Sequence, residues 1–225
     1  MPLLSVIVPV FNEAKSIREI LEKISAVLID KEIIVVDDAS TDGTDRILRE
    51  LHLKNLKVIH HTSNRGKGAA FLTGLDNATG DYVVIQDADL EYDPSDYLKL
   101  FEAIKDEKAD FVLGVRFKGG HQGLFIHRMG NKFLTWTFNV LFGVRLNDYA
   151  TCYKLARRHT FEALNLKGRG FDIDVEIISK VVKKRLRLSE IPVEYFPRTY
   201  KQGKKIRWHD AIWAVLYMIR YRCAS

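Results

Sequence analysis

The amino-acid sequence predicts an α/β fold on a mainly parallel sheet flanked by helices, and three observations carry that reading. Short apolar runs recur at 5–10, 33–36, 57–61, 82–86 and 111–115, each of strand length and bounded by turn residues. Between them lie segments whose apolar residues return at helical spacing. Each such crossover is long enough to bring the next strand back parallel to the last.

In chain order, the run at 5–10 is followed by Ile17, Ile20, Leu21, Ile24, Val27 and Leu28, the apolar stripe of a helix. After the strand at 33–36 and Asp37-Asp38-Ala39-Ser40, the stretch Thr41-Asp42-Gly43-Thr44 supplies capping residues for a helix to about Leu51. A short strand at 57–61 leads to a helix over 68–78. The central strand at 82–86 leads to a helix over 94–104 that opens on Pro94, and a strand at 111–115 closes the series. A sheet wound this way places its ligand crevice at the carboxyl ends of the strands.

Unusual residues collect at those ends. The first strand runs into Pro9-Val10-Phe11-Asn12-Glu13, the second into Asp37-Asp38, the third is followed by Asn64-Arg65-Gly66-Lys67-Gly68, and the central strand runs into Gln86-Asp87-Ala88-Asp89-Leu90-Glu91. An isolated Asp-x-Asp is more often a solvated strand exit, and each of the other stretches alone reads as a turn, a cap or a basic loop. Their convergence on one sheet edge is what points to a site. In extended chain Asp87, Asp89 and Glu91 project the same way. Three oxygen donors so placed suit a hard divalent cation, Mg²⁺ or Mn²⁺, which completes its shell with phosphate oxygens.

Composition sets the outer bounds. With 225 residues, 47 % hydrophobic and 28 % charged, the chain reads as one globular domain over 1–225. Cys152 and Cys223 lack metal-like spacing, so neither a disulfide framework nor a zinc site is expected. The start of the chain has no basic region followed by an apolar one, so no secretory signal is expected. No uninterrupted apolar run approaches the ~20 residues of a membrane span. The net charge of +6 suits nucleotide phosphates, nucleic acid or an anionic membrane, and its distribution has to decide among them.

The ordered motifs Val8-Pro9-Val10-Phe11-Asn12-Glu13, Val35–Thr44 in the second strand and its exit, Asn64–Gly68 and Asp87-Ala88-Asp89 resemble those of the family-2 glycosyltransferases with a GT-A, Rossmann-like fold, and in particular the dolichyl-phosphate mannose synthases and dolichyl-phosphate glucosyltransferases. The likeness covers about 4–116 and continues more loosely through 148–155, 171–176 and Tyr195-Phe196-Pro197-Arg198. Cys152 stands where the family usually has Gly, and Glu91 where mannose synthases often have Gln. The resemblance implies that Pro9, Phe11, Asn12, Glu13, Asp38, Lys67, Asp87, Ala88 and Asp89 bind a nucleotide sugar. It implies that Asp87 and Asp89, with Glu91, hold the metal on the diphosphate, Asp89 thereby serving the catalytic step. It also implies that Arg116 and Arg128 bind an acceptor phosphate, for which the guanidinium fork is suited. The half 1–116 would then serve the donor and 117–225 the acceptor.

Two segments bear on the acceptor. On a helical wheel of 124–142, His127, Arg128, Asn131, Lys132, Thr135 and Asn139 fall within one arc, while most of Phe125, Ile126, Met129, Phe133, Leu134, Trp136, Val140 and Leu141 cover the rest, with Phe138 and Phe142 intruding on the polar side. Further on, Lys201, Lys204, Lys205 and Arg207 precede Trp208 and an apolar run at 211–219. Such amphipathic helices either pack on the sheet or lie in a membrane interface, and a basic cluster beside an aromatic segment suits anionic lipid. The expectation is an inverting hexosyltransferase acting on a polyprenyl or dolichyl phosphate, held peripherally at the cytoplasmic face of a membrane. An ionised phosphate needs no strong base, whereas a hydroxyl acceptor, as in polysaccharide or glycan synthesis, would need one. The resemblance makes Asp148 the catalytic candidate for that role, since it falls where the family has an acid near the acceptor, although Asn147-Asp148 equally reads as a turn. Asp174 and Glu176 stand behind it and, alternating with Ile173, Val175 and Ile177, equally read as polar positions of a structural element. A nucleotidyltransferase is disfavoured because Pro9-Val10-Phe11-Asn12 stands where a Gly-rich loop would be. Nucleic acid is not expected as a partner, since the strongest basic cluster flanks an apolar helix.

Overall fold

The computed structural model describes residues 4–105, 109–116, 125–198 and 208–223. One sheet contains strands β1 (Leu4–Val10), β2 (Lys31–Asp37), β3 (Leu56–His60), β4 (Tyr82–Ile85), β5 (Phe111–Val115), β6 (Lys154–Arg157) and β7 (Leu188–Pro192), in the order β3-β2-β1-β4-β6-β5-β7. β1 to β4 pair in parallel and β5 is parallel to β7, while β6 runs antiparallel to both of its neighbours. The mainly parallel α/β expectation stands.

The helices are α1 (Ile17–Ala26), α2 (Thr44–Glu50), α3 (Lys67–Asp76), α4 (Tyr97–Lys105), α5 (Phe125–Phe142), α6 (Arg158–Ala163), α7 (Asp172–Lys183) and α8 (Trp208–Cys223). Helices against the sheet explain why Leu4, Val6, Ile7, Val8, Ile33, Ile34, Val35 and Val36 are all buried: strands covered on both faces are apolar throughout rather than alternating. α1 buries Ile17, Ile20, Leu21 and Ile24, one face at helical spacing. Pro94–Asp96 forms a 3₁₀ turn ahead of α4, with the Asp93 side chain accepting from Ser95 N.

Neither β6 nor β7 was expected. β6 is Lys-Leu-Ala-Arg, short and flanked by charge, and its Lys154 is tolerated in the core because a carboxylate meets it there. β7 is the edge strand Leu-Ser-Glu-Ile-Pro, whose polar content carries little strand signal.

α5 inverts the usual orientation of an amphipathic helix. Thr135 and Phe138 are buried, Phe138 stacking on Phe142 and Tyr149, and Asn131 and Asn139 hydrogen-bond inward. The apolar stripe Met129, Phe133, Trp136 and Val140 faces outward, each 51 % to 63 % exposed. α8 packs on α5 and α7 and leaves Ile212, Trp213, Leu216 and Ile219 47 % to 56 % exposed. The alternative in which the α5 stripe packs on the sheet is thereby corrected: the polar arc makes the tertiary contacts. Lys201, Lys204, Lys205, Arg207 and the side chains of Phe125, Ile126, His127 and Trp208 lie outside the described residues. Among the described residues no helix is long and apolar enough to cross a membrane.

Candidate active site

The carboxyl ends of β1 and β4 are neighbours at the point where the strand order reverses, which is where open α/β sheets leave a crevice. Three non-glycine residues take left-handed backbone there: Asn12 after β1 (φ 54°), Ala39 after β2 (φ 62°) and Leu90 beyond β4 (φ 49°). Each costs about 1 kcal/mol and persists because its surroundings fix it. The first two loops are stitched together: Asn12 N donates to Ser40 Oγ (2.9 Å), Asn12 Oδ1 accepts from Thr41 N (2.8 Å), and Asp42 accepts from Ala14 N (3.0 Å). Phe11 stands partly exposed at the rim.

Asp38 ties loops together. Its buried carboxylate accepts from Arg65 N (2.9 Å) and Gly66 N (2.7 Å) and meets His61 Nδ1 (2.6 Å), so it anchors the third motif from beneath. Gly66 (φ 93°) and Gly68 then pass so close to the Arg169 and Gly168 carbonyls that a Cβ at either would collide with backbone. Glu176 holds that opposing loop, accepting from Lys167 N (3.0 Å) and Gly168 N (2.7 Å). Pro9 is buried inside β1 in register with Val36, and Ala88 is buried with its carbonyl accepting from Ser16 Oγ (2.8 Å), so both shape the site from within.

Asp87, Asp89 and Glu91 do not project together as an extended strand would place them. β4 ends at Ile85, and the chain turns through Leu90. Asp87 pairs with Lys67 Nζ at 2.9 Å. Asp89 pairs with Arg198 Nη2 at 2.8 Å, while Glu91 accepts from Tyr195 Oη (2.9 Å) and Arg198 N (2.8 Å). Arg198 Nη1 also reaches Glu13 at 2.9 Å. Among the described residues, no three acidic, His or Cys side chains are gathered as a ready metal cradle. The donor set nevertheless suits a cation. Burial first, then the charges of Asp87 and Glu91, push Asp89 up to about 7 against the pull of Arg198, the signature of anionic crowding that a divalent ion relieves.

Below this edge, Gln86 is buried and takes hydrogen bonds from Tyr97 Oη (2.5 Å) and Tyr153 Oη (2.8 Å) on its Oε1, fixing the strand exit. Arg116 follows β5. Its Nε and Nη2 grip Asp148 at 2.6 and 2.8 Å, Nη2 also meets Asn131 of α5, and the guanidinium lies over the Tyr195 ring at 5.2 Å. Asp148 is fully buried, and although burial works against it, Arg116 and Asn131 hold its carboxyl below the usual range. It is the counter-ion of Arg116. Arg128 stands exposed on α5 one turn before Asn131.

Arg198, Lys154 and Tyr195, which lie in the looser stretches of the likeness and were given no role there, enter the site. The signal for Lys154 was a lysine set among Tyr153, Leu155 and Ala156, a charge that an apolar strand accepts only with a partner. Asp174, read as one polar position of an alternating element, lies in the first turn of α7, with its carboxylate on Lys67 and Lys154.

The chain is 33 % identical over 208 residues to the dolichol-phosphate mannosyltransferase of Pyrococcus furiosus, and 31 % identical over 204 residues to the low-salt glycan biosynthesis hexosyltransferase Agl6 of Haloferax volcanii. These alignments take in 89 % and 88 % of this chain but 58 % and 48 % of the relatives, so the chain spans about half their length. The crystal structure of glucosyl-3-phosphoglycerate synthase from Mycobacterium tuberculosis, with Mn²⁺, UDP and glucosyl-3-phosphoglycerate, superposes with a TM-score of 0.75 at 20 % identity, over 99 % of this chain and 80 % of that one, and shares its GT-A fold. The stitched loops after β1 and β2, the glycines Gly66 and Gly68 and the acids after β4 all fall within residues 5–164, the stretch that matches glycosyl transferase family 2, and the chain belongs to that family.

Proposed function

We propose that the protein transfers a hexose, with inversion, from a nucleotide sugar of the GDP-mannose or UDP-glucose type to a polyprenyl or dolichyl phosphate, with residues 1–116 serving the donor and 117–225 the acceptor. The observation that carries this reading is the gathering at the switch point of the sheet of Asp87 against Lys67 and of Asp89 and Glu91 against Arg198. Relatives named for polyprenol and dolichol phosphate chemistry support the acceptor class.

In this mechanism Phe11 offers a rim against which a base stacks. Lys67 sets a point charge beside the diphosphate. Asp87 and Asp89, with Glu91, would hold Mg²⁺ or Mn²⁺, which neutralises the charge developing on the departing diphosphate. Arg116, kept protonated by Asp148, and the exposed Arg128 orient the acceptor phosphate for in-line attack. The state of Asp148 favours a phosphate over a hydroxyl acceptor: a carboxylate gripped by Arg116 and Asn131 and held below its usual range withdraws no proton readily, and an ionised phosphate needs none withdrawn. The outward apolar stripes of α5 and α8 support contact with an anionic membrane surface, where a lipid phosphate is presented.

The test is sugar turnover from UDP-glucose and GDP-mannose with Mn²⁺ or Mg²⁺, with and without a polyprenyl phosphate. Lipid-dependent nucleotide release from one donor, abolished by EDTA, is expected. Release stimulated by a soluble hydroxyl acceptor instead would replace the lipid reading while keeping the donor half. No turnover or binding of any nucleotide sugar would overturn both.

A further inference from the structure

Asp174 lies far along the chain from the donor motifs, yet its two oxygens face two different lysines. Oδ1 accepts from Lys154 Nζ at 2.6 Å and Oδ2 from Lys67 Nζ at 3.3 Å. Lys154 is wholly buried and also donates to the Thr151 carbonyl, so its ammonium is fixed. Lys67 reaches onward to Asp87 Oδ1 at 2.9 Å. An ammonium has three donors, and these two carboxylates take two of them, leaving one for a phosphate oxygen.

We infer that Asp174 is a positioning residue: anchored by Lys154, it seats the Lys67 ammonium beside Asp87 so that its remaining donor meets the diphosphate of the bound nucleotide. The inference rests on the donor reading proposed above. A lysine stem is long and flexible. With Asp87 as its sole partner, Lys67 would follow that carboxylate, and an Asp87 drawn onto a cation would carry the ammonium away from its place. Asp174 is a second seat whose position does not depend on Asp87, because Lys154 and the core of α7 fix it. The same helix supplies Glu176, which holds the loop that Gly66 and Gly68 pack against. α7 thus sets both the backbone path and the charge of the third motif.

The bland alternative is that Asp174 merely neutralises Lys154. Two variants separate the readings, Asp174→Asn and the double variant Asp174→Asn with Lys154→Met, each assayed by melting temperature and by calorimetric binding of UDP, GDP, UMP and GMP with Mn²⁺. Asp174→Asn strands a buried ammonium and should melt earlier; the double variant removes that ammonium and should regain the melting temperature. In both, affinity for the nucleoside diphosphate that the unaltered chain binds should fall about tenfold, while affinity for the matching monophosphate changes less than twofold. If the double variant recovers diphosphate affinity together with stability, Asp174 is only a counter-charge and the inference fails. Equal losses for mono- and diphosphate would also overturn it. If the unaltered chain binds neither UDP nor GDP, the donor reading itself fails and the inference falls with it, a result distinct from the other two.

Discussion

Asp87 and Asp89 stand two residues apart beyond the same strand, yet they belong to opposite electrostatic settings. Asp87 joins a closed group in which Lys67 and Lys154 alternate with Asp174, and there the opposite charges win: burial opposes ionisation, but the two lysines bring Asp174 down to about 2. Asp89 shares Arg198 with Glu13 and Glu91, and there burial and the like charges of Asp87 and Glu91 win, raising it to about 7. The lysine group matches its charges within itself, two ammonium groups to two carboxylates. The arginine group keeps surplus negative charge at the crevice, where a cation and a diphosphate would add to it.

Four outcomes test that contrast, taken from the largest expected effect to the smallest. Asp89→Asn should lower kcat/KM by about a thousandfold, the scale of losing a principal electrostatic contact in the transition state, while the melting temperature holds or rises because a crowded charge is gone. A large fall in melting temperature would erase the distinction. Asp174→Asn should do the reverse in thermal scans: leaving Lys154 buried without its partner costs about 3–5 kcal/mol, or ~10 °C in a chain of this size. The third outcome concerns acid. The folded carboxyl of Asp174 titrates near 2 against an unfolded value of about 3.9, so its contribution, on the order of 2 kcal/mol, is fully present above pH ~4 and lost as pH falls toward 2. Denaturation curves at pH 5 and pH 3 should therefore converge in the double variant lacking Asp174 and Lys154 more than in the unaltered chain. Least of all, Ala39→Gly should raise the melting temperature by about 1–2 °C, since relief of left-handed strain slightly exceeds the entropy gained by the unfolded glycine. A fall would mean that the Ala39 methyl group packs more usefully than its backbone suffers.

The same contrast explains what could be read from the sequence. The first half of the chain was legible because its information is local: apolar runs at strand length, then an unusual residue immediately after each run, as at Phe11-Asn12, Asp37-Asp38, Gly66-Lys67 and Asp87. What those residues touch was less legible, since Asp38 meets loop amides 27 and 28 positions away. Arg198 lies more than a hundred positions from Asp89, and no periodicity links them. β6 and β7 escaped notice because a four-residue strand and a polar edge strand carry little pattern. On α5 the wheel divided the side chains correctly, but which face turned inward depended on Asn131 meeting Arg116 and on Phe138 finding Tyr149, contacts that a wheel does not contain.

The reversed strand β6 also bears on how such a molecule can diversify. Because it runs against its neighbours, its beginning, not its end, reaches the crevice, and Asp148 to Cys152 arrive there before the strand starts. The long excursion from β5 through α5 therefore leaves the crevice edge at Arg116 and returns to that same edge. Residues can be added to, removed from or exchanged within that excursion without shifting the register of β1 to β4. The wall of the crevice can thus be rebuilt by editing a single contiguous stretch of gene while its floor stays in place.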